Sequence, residues 1–325
     1  MRKWITFLMT FLASVTYADA YSLKDGEVSF EAGYRHDSLN WSAKVPSENP
    51  LFRSSTKFKD LDIFQIGINA RGNVGCNLYL RGAVDWGWIL DGNLEERFQV
   101  FDNTVAPIPG NNIASTERTL TTESTNIVDG RYVFDISAAV GYEFHLCNYT
   151  MSLSPVVGYS FSEQNLWAET NDNFNIVPAG GTFNITRNSE CCRDKLISRW
   201  YGPFIGLDWE YNPCGECWNL FAQLEYHWAH QQTKRNDMTG FSGFDSFKST
   251  SRNAHGWLFT VGFDYEMCSC WTVGLSVKAQ DWRSSRSHRH DLSGFAGDVS
   301  SGNGRLHSET NWNSYAINLR VGRDF

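Results

Sequence analysis

Eight cysteines are the residues of this chain whose chemistry is easiest to recognise. Six of them fall in four short, turn-like segments, at Cys76, Cys147, Cys214, Cys217, Cys268 and Cys270. The other two, Cys191 and Cys192, are adjacent and lie in a long polar segment. Thiols form disulfides within a chain or with another protein. Because even six cysteines allow 15 pairings, the sequence leaves the connectivity open.

Metal binding is the alternative chemistry for these residues. Cys214-x-x-Cys217 and Cys268-x-Cys270 supply four thiolates, a set that holds zinc tetrahedrally. A short histidine-containing run, residues 288–291, has the composition of a divalent-cation loop. An oxidising compartment favours disulfides over zinc, and such a run is more typical of a solvated loop. We therefore predict no metal site and no cofactor.

The N-terminus indicates that the protein is exported. Arg2 and Lys3 precede an apolar run at residues 4–15, and Ala18-x-Ala20 matches a signal-peptide cleavage site. We expect residues 1–20 to be a signal peptide and residues 21–325 to form one domain. Export would bring the cysteines to a compartment in which disulfides persist.

Composition excludes two classes of protein. The formal net charge of −8 argues against a nucleic-acid partner, because such proteins usually carry a basic face. No stretch of 18 apolar residues occurs, so a membrane-spanning helix is not predicted.

Strict two-residue alternation is the dominant pattern. Between Val128 and Leu146 the even positions are mostly apolar, whereas the odd positions include Asp129, Arg131 and Asp135. Alternate side chains of a strand point to opposite faces, so one face is lipid-like and the other is charged. Nine more segments behave similarly, at about 27–42, 60–72, 77–91, 149–167, 198–212, 217–231, 255–267, 270–283 and 310–325.

The connections between these ten segments also alternate in length. Four are short turns, and five are long and polar, at about 43–59, 92–126, 168–197, 232–254 and 284–309. Short turns at one end and long loops at the other are typical of bacterial outer-membrane barrels. The predicted fold is thus all-β: a transmembrane antiparallel up-and-down barrel of ten strands, with long extracellular loops and short periplasmic turns. A soluble, lipocalin-like barrel is the alternative.

The positions of the tryptophans favour a membrane barrel over a soluble one. Nine of the 13 fall near the long-loop ends, among them Trp41, Trp200, Trp282 and Trp312, and we expect them to form an interfacial girdle. The chain ends in Phe325 after alternating apolar residues, an ending that resembles the signal read by the outer-membrane assembly machinery. The expected location is the bacterial outer membrane, with outer-membrane lipid as the first partner.

The order of strands, turns and loops over about residues 27–325 resembles the omptin-like ten-stranded barrels, and Tyr201-Gly-Pro-Phe-Ile-Gly-Leu207 looks like the sixth strand of that family. The cysteine-bearing turns are similar to outer-membrane proteins of chlamydia-like bacteria. Omptins are proteases with an Asp-x-Asp pair after strand 3 and an Asp-x-His pair after strand 7, which act as general acid and base. Only Asp91 and His230 lie near the corresponding heights, and neither motif is present, so proteolysis is not the expected activity.

The sequence therefore predicts an integral outer-membrane protein with a structural or surface-interaction role. Its cysteines would stabilise the periplasmic rim or cross-link it to other cysteine-bearing envelope proteins. A small porin and an omptin-like surface protease are the alternatives. Charged residues of both signs on the inward faces, such as Arg81, Asp208 and Lys278, predict a mostly filled interior, since a ten-stranded barrel is close in size to the filled eight-stranded kind.

Overall fold

The computed structural model describes residues 23–44, 51–74, 77–102, 118–128, 131–147, 150–169, 173–177, 183–186, 193–236, 246–267, 270–285, 289–293 and 307–324. The predicted signal peptide and Phe325 lie outside this part of the chain. Ten strands form the wall of a barrel: β1 (Leu23–Lys44), β2 (Leu51–Val74), β3 (Leu78–Asp102), β4 in three segments (Arg118–Val128, Tyr132–Tyr142 and Phe144–Leu146), β5 (Met151–Glu169), β6 (Arg193–Tyr211), β7 (Trp218–Asn236), β8 (Ser246–Met267), β9 (Trp271–Ser284) and β10 (His307–Asp324).

Every wall strand pairs antiparallel with both of its neighbours. The first strand closes the barrel against the last, in a ladder that runs from Glu27↔Asp324 to Lys44↔His307. Closure gives each backbone group a partner inside the wall, which is the condition for a sheet to cross lipid. The predicted closed, ten-stranded antiparallel barrel is confirmed. Among the described residues, no helix is long and apolar enough to cross a membrane.

The wall is taller than the sequence pattern suggested. All five predicted loops contain strand residues, and the β2–β3 ladder continues to Leu51↔Phe101, well inside the predicted loops 43–59 and 92–126. Three further short strands, at Asn173–Val177, Phe183–Thr186 and Arg289–Ser293, lie within the predicted loops 168–197 and 284–309. The prediction failed here because the outward positions become polar beyond the membrane, so the strands look like loops in the sequence.

The short turns have left-handed backbone conformations. Asn77, Cys147, Gly215 and Cys270 all have positive φ, between 49° and 83°. In the β6–β7 turn the Glu216 N–H donates to the Pro213 carbonyl at 3.2 Å. These residues make tight reversals at the end of the wall that is predicted to face the periplasm, which we call the periplasmic rim.

The lower part of the wall is apolar outside and polar inside. Each of the ten strands places a large apolar side chain on the outer surface, at Phe30, Ile68, Leu80, Val140, Val157, Ile205, Leu224, Phe259, Leu275 and Leu319. The intervening residues, such as Glu31 and Arg320, point inward and are buried. This belt is the surface that meets the lipid hydrocarbon.

Above the belt the polarity of the two faces is reversed. On β1 the outward residues Ser38 and Asn40 are polar, whereas the inward residues Leu39 and Trp41 are buried and apolar. Similar residues from the other strands form one continuous apolar cluster, composed of Leu39, Phe58, Leu61, Ile63, Ile89, Leu94, Val128, Val133, Leu166, Ala168, Leu196, Trp200, Ala229, Ala254, Trp282 and Trp312. We call this cluster the apolar plug.

The prediction that the tryptophans near the long-loop ends form an interfacial girdle is wrong for four of them. Trp41, Trp200, Trp282 and Trp312 are at most 1% exposed inside the barrel and are not interfacial. Their positions follow the inward parity of the upper wall. Other tryptophans do lie on the outer surface near the ends of the belt, namely Trp88, Trp228, Trp257 and Trp271.

Candidate functional site

The polar part of the interior, which we call the lower lumen, is crossed by ion pairs. On one side Arg81 bonds Asp208 at 3.0 Å and also pairs with Glu225. Lys278 donates to Asp85 at 2.8 Å across the barrel. These contacts join strands that are not neighbours in the wall, so they fill the cross-section of the barrel as well as neutralising charge.

Near the periplasmic end Arg320 makes a second group of bonds. Its guanidinium contacts Asp264 at 2.7 Å, Glu31 at 3.0 Å and Glu27 at 3.2 Å. Arg71 also pairs with Glu27, at 2.6 Å. Breaking a buried ion pair by removing one partner is costly, because the other charge is left without compensation. This network therefore fixes which strands face one another.

Two small cavities lie between these ion pairs. The larger, of about 60 Å³, is bordered by Glu31, Asp85 and Arg320, and the smaller, of about 30 Å³, by Asp135, His227 and others. Both are lined by Asp85, Glu225 and Lys278, among others. Polar cavities of this size hold a few water molecules, and they are too small for an organic solute.

Asp37 joins the lower lumen to the plug. This side chain is fully buried, and its carboxylate accepts four hydrogen bonds. Two come from Arg35, at 2.7 and 2.9 Å, one from Gln164 at 3.0 Å, and one from the indole N–H of Trp312 at 3.1 Å. Arg35 in turn bonds Asp135 at 2.6 Å. The charged network thus ends on a tryptophan of the plug.

Three tryptophans in mutual contact form the centre of the plug: Trp282 and Trp312 are stacked, and Trp200 is tilted against both. The ring centroids of Trp282 and Trp312 are 5.8 Å apart, and Trp200 lies 5.8 Å from Trp282 and 6.4 Å from Trp312. Aromatic pairs at such distances add to the stability gained from burial alone. Three indoles from β6, β9 and β10 close the interior at this level.

A polar bridge crosses the barrel above the plug. The Arg235 guanidinium of β7 donates to Thr56 of β2 at 2.9 Å and pairs with Glu96 of β3. All three side chains are buried. The upper interior is therefore closed by an ion pair as well as by apolar packing.

One hydrogen-bonded set resembles a nucleophile with its base. Ser160 lies 2.9 Å from Nδ1 of His227, and Nε2 of that ring lies 2.7 Å from Glu225. A Ser–His–acid arrangement can activate a hydroxyl for acyl transfer. Here, however, the His227 ring packs against Phe204 and Trp282, with centroids 4.7 and 4.8 Å away. The adjoining cavity of about 30 Å³ admits water but no acyl substrate, so the set is a structural network.

The two residues that correspond in height to the omptin motifs, Asp91 and His230, lie on the outer wall. Asp91 is exposed and accepts a hydrogen bond from the Gly92 N–H at 2.8 Å. His230 is exposed and stacks on Tyr201 at 5.6 Å. The first belongs to β3 and the second to β7, and three other strands separate these around the shorter side of the barrel. The structure does not bring the two side chains together.

Four of the eight cysteines are described, and all four have exposed, free thiols at the periplasmic rim: Cys147, Cys214, Cys217 and Cys270. The other four candidates, Cys76, Cys191, Cys192 and Cys268, lie outside the described residues, as do His288 of the predicted cation loop and Phe325. Among the described residues, no group of three or more His, Cys, Asp or Glu has the geometry of a metal site.

Most of the charged residues that the sequence predicted to face the lumen do so. The residues with which they form ion pairs were not predicted. Arg131 is an exception among the predicted lumenal charges, since its guanidinium stacks on Trp167 at 3.2 Å and does not join the lumenal network. Asp129 lies outside the described residues. The role of Asp37 was missed, because no local pattern connects it with Gln164 and Trp312.

The closed ten-stranded wall, its lipid-facing belt and its polar interior define an integral outer-membrane barrel of omptin-like architecture. The structure is similar to that of the outer membrane protease OmpT from Escherichia coli, with a TM-score of 0.61 and 14% identity over 94% of this chain and 99% of that one. At this identity the likeness concerns the fold alone.

The sequence profile of the Protochlamydia outer membrane protein family matches residues 29–325. The chain belongs to this family. A FadL homologue of Pseudomonas aeruginosa is a more distant match, with a TM-score of 0.27 and 9% identity over 93% of this chain and 91% of that one. The translocator domain of the autotransporter NalP from Neisseria meningitidis matches with a TM-score of 0.29 and 12% identity, over 99% of this chain and 96% of that one. No match was found among curated proteins.

The Asp37 junction leads to a prediction about stability. Asp37→Leu leaves the Arg35 guanidinium short of one partner and removes the acceptor of Gln164 and Trp312. We expect a loss of about 3–5 kcal/mol in the free energy of unfolding. The measurement is urea unfolding of the barrel in lipid, followed by tryptophan fluorescence.

The matched control is Asp281→Leu, which breaks an ion pair with Arg283 on the outer wall that is 2.9 Å long and largely exposed. An exposed pair contributes about 0–1 kcal/mol. Equal losses for the two variants would show that Asp37 has no special place in the fold.

Proposed function

We propose that this protein is a structural and surface-interacting component of the outer membrane, whose periplasmic rim is stabilised or cross-linked by disulfides. The observation that carries the first half is the filled interior. Ion pairs cross the lower lumen, three indoles in mutual contact close it above Asp37, and the Arg235–Glu96 pair closes it again. A barrel filled in this way contributes a rigid wall to the membrane and presents tall strands on the outer side.

The placement of the cysteines supports the proposal that disulfides stabilise or cross-link the periplasmic rim. Cys147 and Cys270 occupy left-handed turn positions, with φ of 49° and 65°, where a non-glycine residue costs roughly 1–2 kcal/mol. Glycine or asparagine would fit these turns better. The backbone gives no reason for cysteine at either site, which favours a role for the thiol itself.

Neighbouring rim turns are also held in fixed positions. The Glu266 N–H donates to the Cys217 carbonyl at 2.6 Å, and the Asn212 N–H donates to the Thr150 carbonyl at 2.8 Å. The exposed thiols of Cys214 and Cys217 are therefore presented from a turn that is hydrogen-bonded at both ends and not from a free loop. Such thiols are accessible to cysteine-bearing envelope proteins on the periplasmic side. We also propose Phe325 as the residue that the assembly machinery reads.

The disulfide proposal predicts that the protein migrates differently on non-reducing and reducing gels. Native envelopes prepared with thiols blocked should give cross-linked species on a non-reducing gel that collapse to the monomer after reduction. Replacing Cys147, Cys214, Cys217 and Cys270 together by serine should remove most of these species. Cys191→Ser with Cys192→Ser, in the long polar segment of the sequence, serves as the control. Identical migration under both conditions would contradict the proposal.

Passive diffusion of small solutes is a second candidate, and the two polar cavities favour it. They have Asp85, Glu225 and Lys278 in common, so the lower lumen is polar along part of its length. The apolar plug stands between this region and the outer side. Proteolysis has less support, because Asp91 and His230 lie on strands that do not adjoin.

Planar-bilayer conductance separates these functions. The refolded wild-type barrel should be silent. The Trp282→Ala/Trp312→Ala/Arg235→Ala triple variant should show ion flow, because it removes two of the indoles that block the lumen together with the guanidinium that closes the lumen above them. Trp228→Ala, on the outer surface, is the control and should stay silent. Stable, large conductance steps from the wild type would overturn the structural proposal in favour of a porin.

A further inference from the structure

A short hairpin extends the barrel wall on the outer side. Above the barrel β3 and β4 continue to pair, from Asn93↔Ile127 to Asp102↔Arg118. Residues 121–123 of β4 then pair with residues 175–177, and the strand Asn173–Val177 pairs with Phe183–Thr186. Within the described part of the chain, Phe183–Thr186 is the last strand of this extension, and its outer edge has no partner strand.

The two strands of the hairpin contain the same triplet. Phe-Asn-Ile occurs at residues 174–176 and again at residues 183–185. The register aligns the two copies antiparallel about their central residue, as Phe174↔Ile185, Asn175↔Asn184 and Ile176↔Phe183. The triplet thus already pairs with a copy of itself, and an Asn–Asn pair marks the centre of that ladder.

We propose that the open edge of Phe183–Thr186 pairs with the same edge of a second copy of this chain. The register would be the one found inside the hairpin, with Asn184 opposite Asn184 of the second copy and Phe183 opposite Ile185. Such a contact is self-complementary, because one two-fold axis relates both strands. This proposal deepens the surface-interaction half of the proposed function by naming the partner.

Residue composition agrees with edge pairing. The strand Phe183–Thr186 contains no charged residue and no proline, whereas natural edge strands are usually protected by such residues. Phenylalanine, isoleucine and threonine are residues that strands favour. The edge therefore has residues that favour pairing and none of the charges or prolines that commonly protect an edge strand.

The symmetry of the contact determines the orientation of the partner. The two-fold axis that relates antiparallel strands is perpendicular to their sheet, and this sheet is continuous with the barrel wall. The second barrel is consequently inverted relative to the first, which places it in a facing membrane. A four-residue ladder is weak by itself, and many copies on two opposed surfaces make the contact multivalent.

Proteoliposome clustering tests this inference. Vesicles that carry the refolded full-length wild type should cluster, with a several-fold rise in apparent diameter by light scattering. Asn184→Lys and Asn184→Asp should each abolish clustering, because like charges directly opposite are destabilising in an antiparallel pair. Mixing the two kinds of vesicle should restore clustering, since opposite charges then meet at the two-fold axis.

Asn311→Lys is the matched control, because it makes the same change at an exposed position of β10 and should leave clustering intact. Heat-modifiable migration of every variant confirms that each barrel is folded. Wild-type vesicles that stay dispersed, Asn184→Lys vesicles that cluster like wild type, or a mixture that fails to cluster would each overturn the proposal. None of these results bears on conductance or on rim cross-links, so a failure here is distinct from a failure of the proposed function.

Discussion

The four hydrogen bonds on the Asp37 carboxylate lie where the interior changes from charged to apolar. Below this point the wall meets lipid, so its outer face is apolar and polar side chains are turned inward. Above it the wall meets water, and the apolar side chains pack inside. Asp37 has a cation on one side and an indole on the other, and therefore connects two regions with opposite packing rules. The ladder of the wall continues through both regions, with register shifts at this level in the β1–β2, β2–β3 and β7–β8 pairs.

The narrow barrel explains why the interior is filled. Ten strands enclose little more space than the eight-stranded barrels whose interiors side chains fill. Charges confined there must pair, and they pair across the barrel: Arg81 of β3 with Asp208 of β6, and Lys278 of β9 with Asp85 of β3. Buried ion pairs add little net stability compared with apolar packing. Their contribution here is to specify which strands face each other.

Much of the wall was predictable, because lipid imposes strict alternation on each strand. Tyr132–Tyr142 and residues 218–228 show that pattern, and their strands were placed correctly. Val128 was predicted on the lipid-facing side of the first of these strands and is instead buried in the apolar plug. The upper wall was not predictable by the same reasoning. At Leu39 and Trp41 the apolar residues move to the other parity, and the outward serines and asparagines around them resemble a loop. The ion-pair partners in the lumen were not predictable either. Arg35 and Asp135, for example, are 100 residues apart, and only barrel closure brings them together.

A high-resolution crystal structure of the detergent-solubilised barrel, with its ordered water located, tests the central claim most directly. The account predicts waters in the two small cavities beside Lys278 and none among Trp200, Trp282 and Trp312, with Asp37 bonded to Arg35, Gln164 and Trp312. A column of water that runs from the periplasmic rim past the three indoles to the outer side would contradict it.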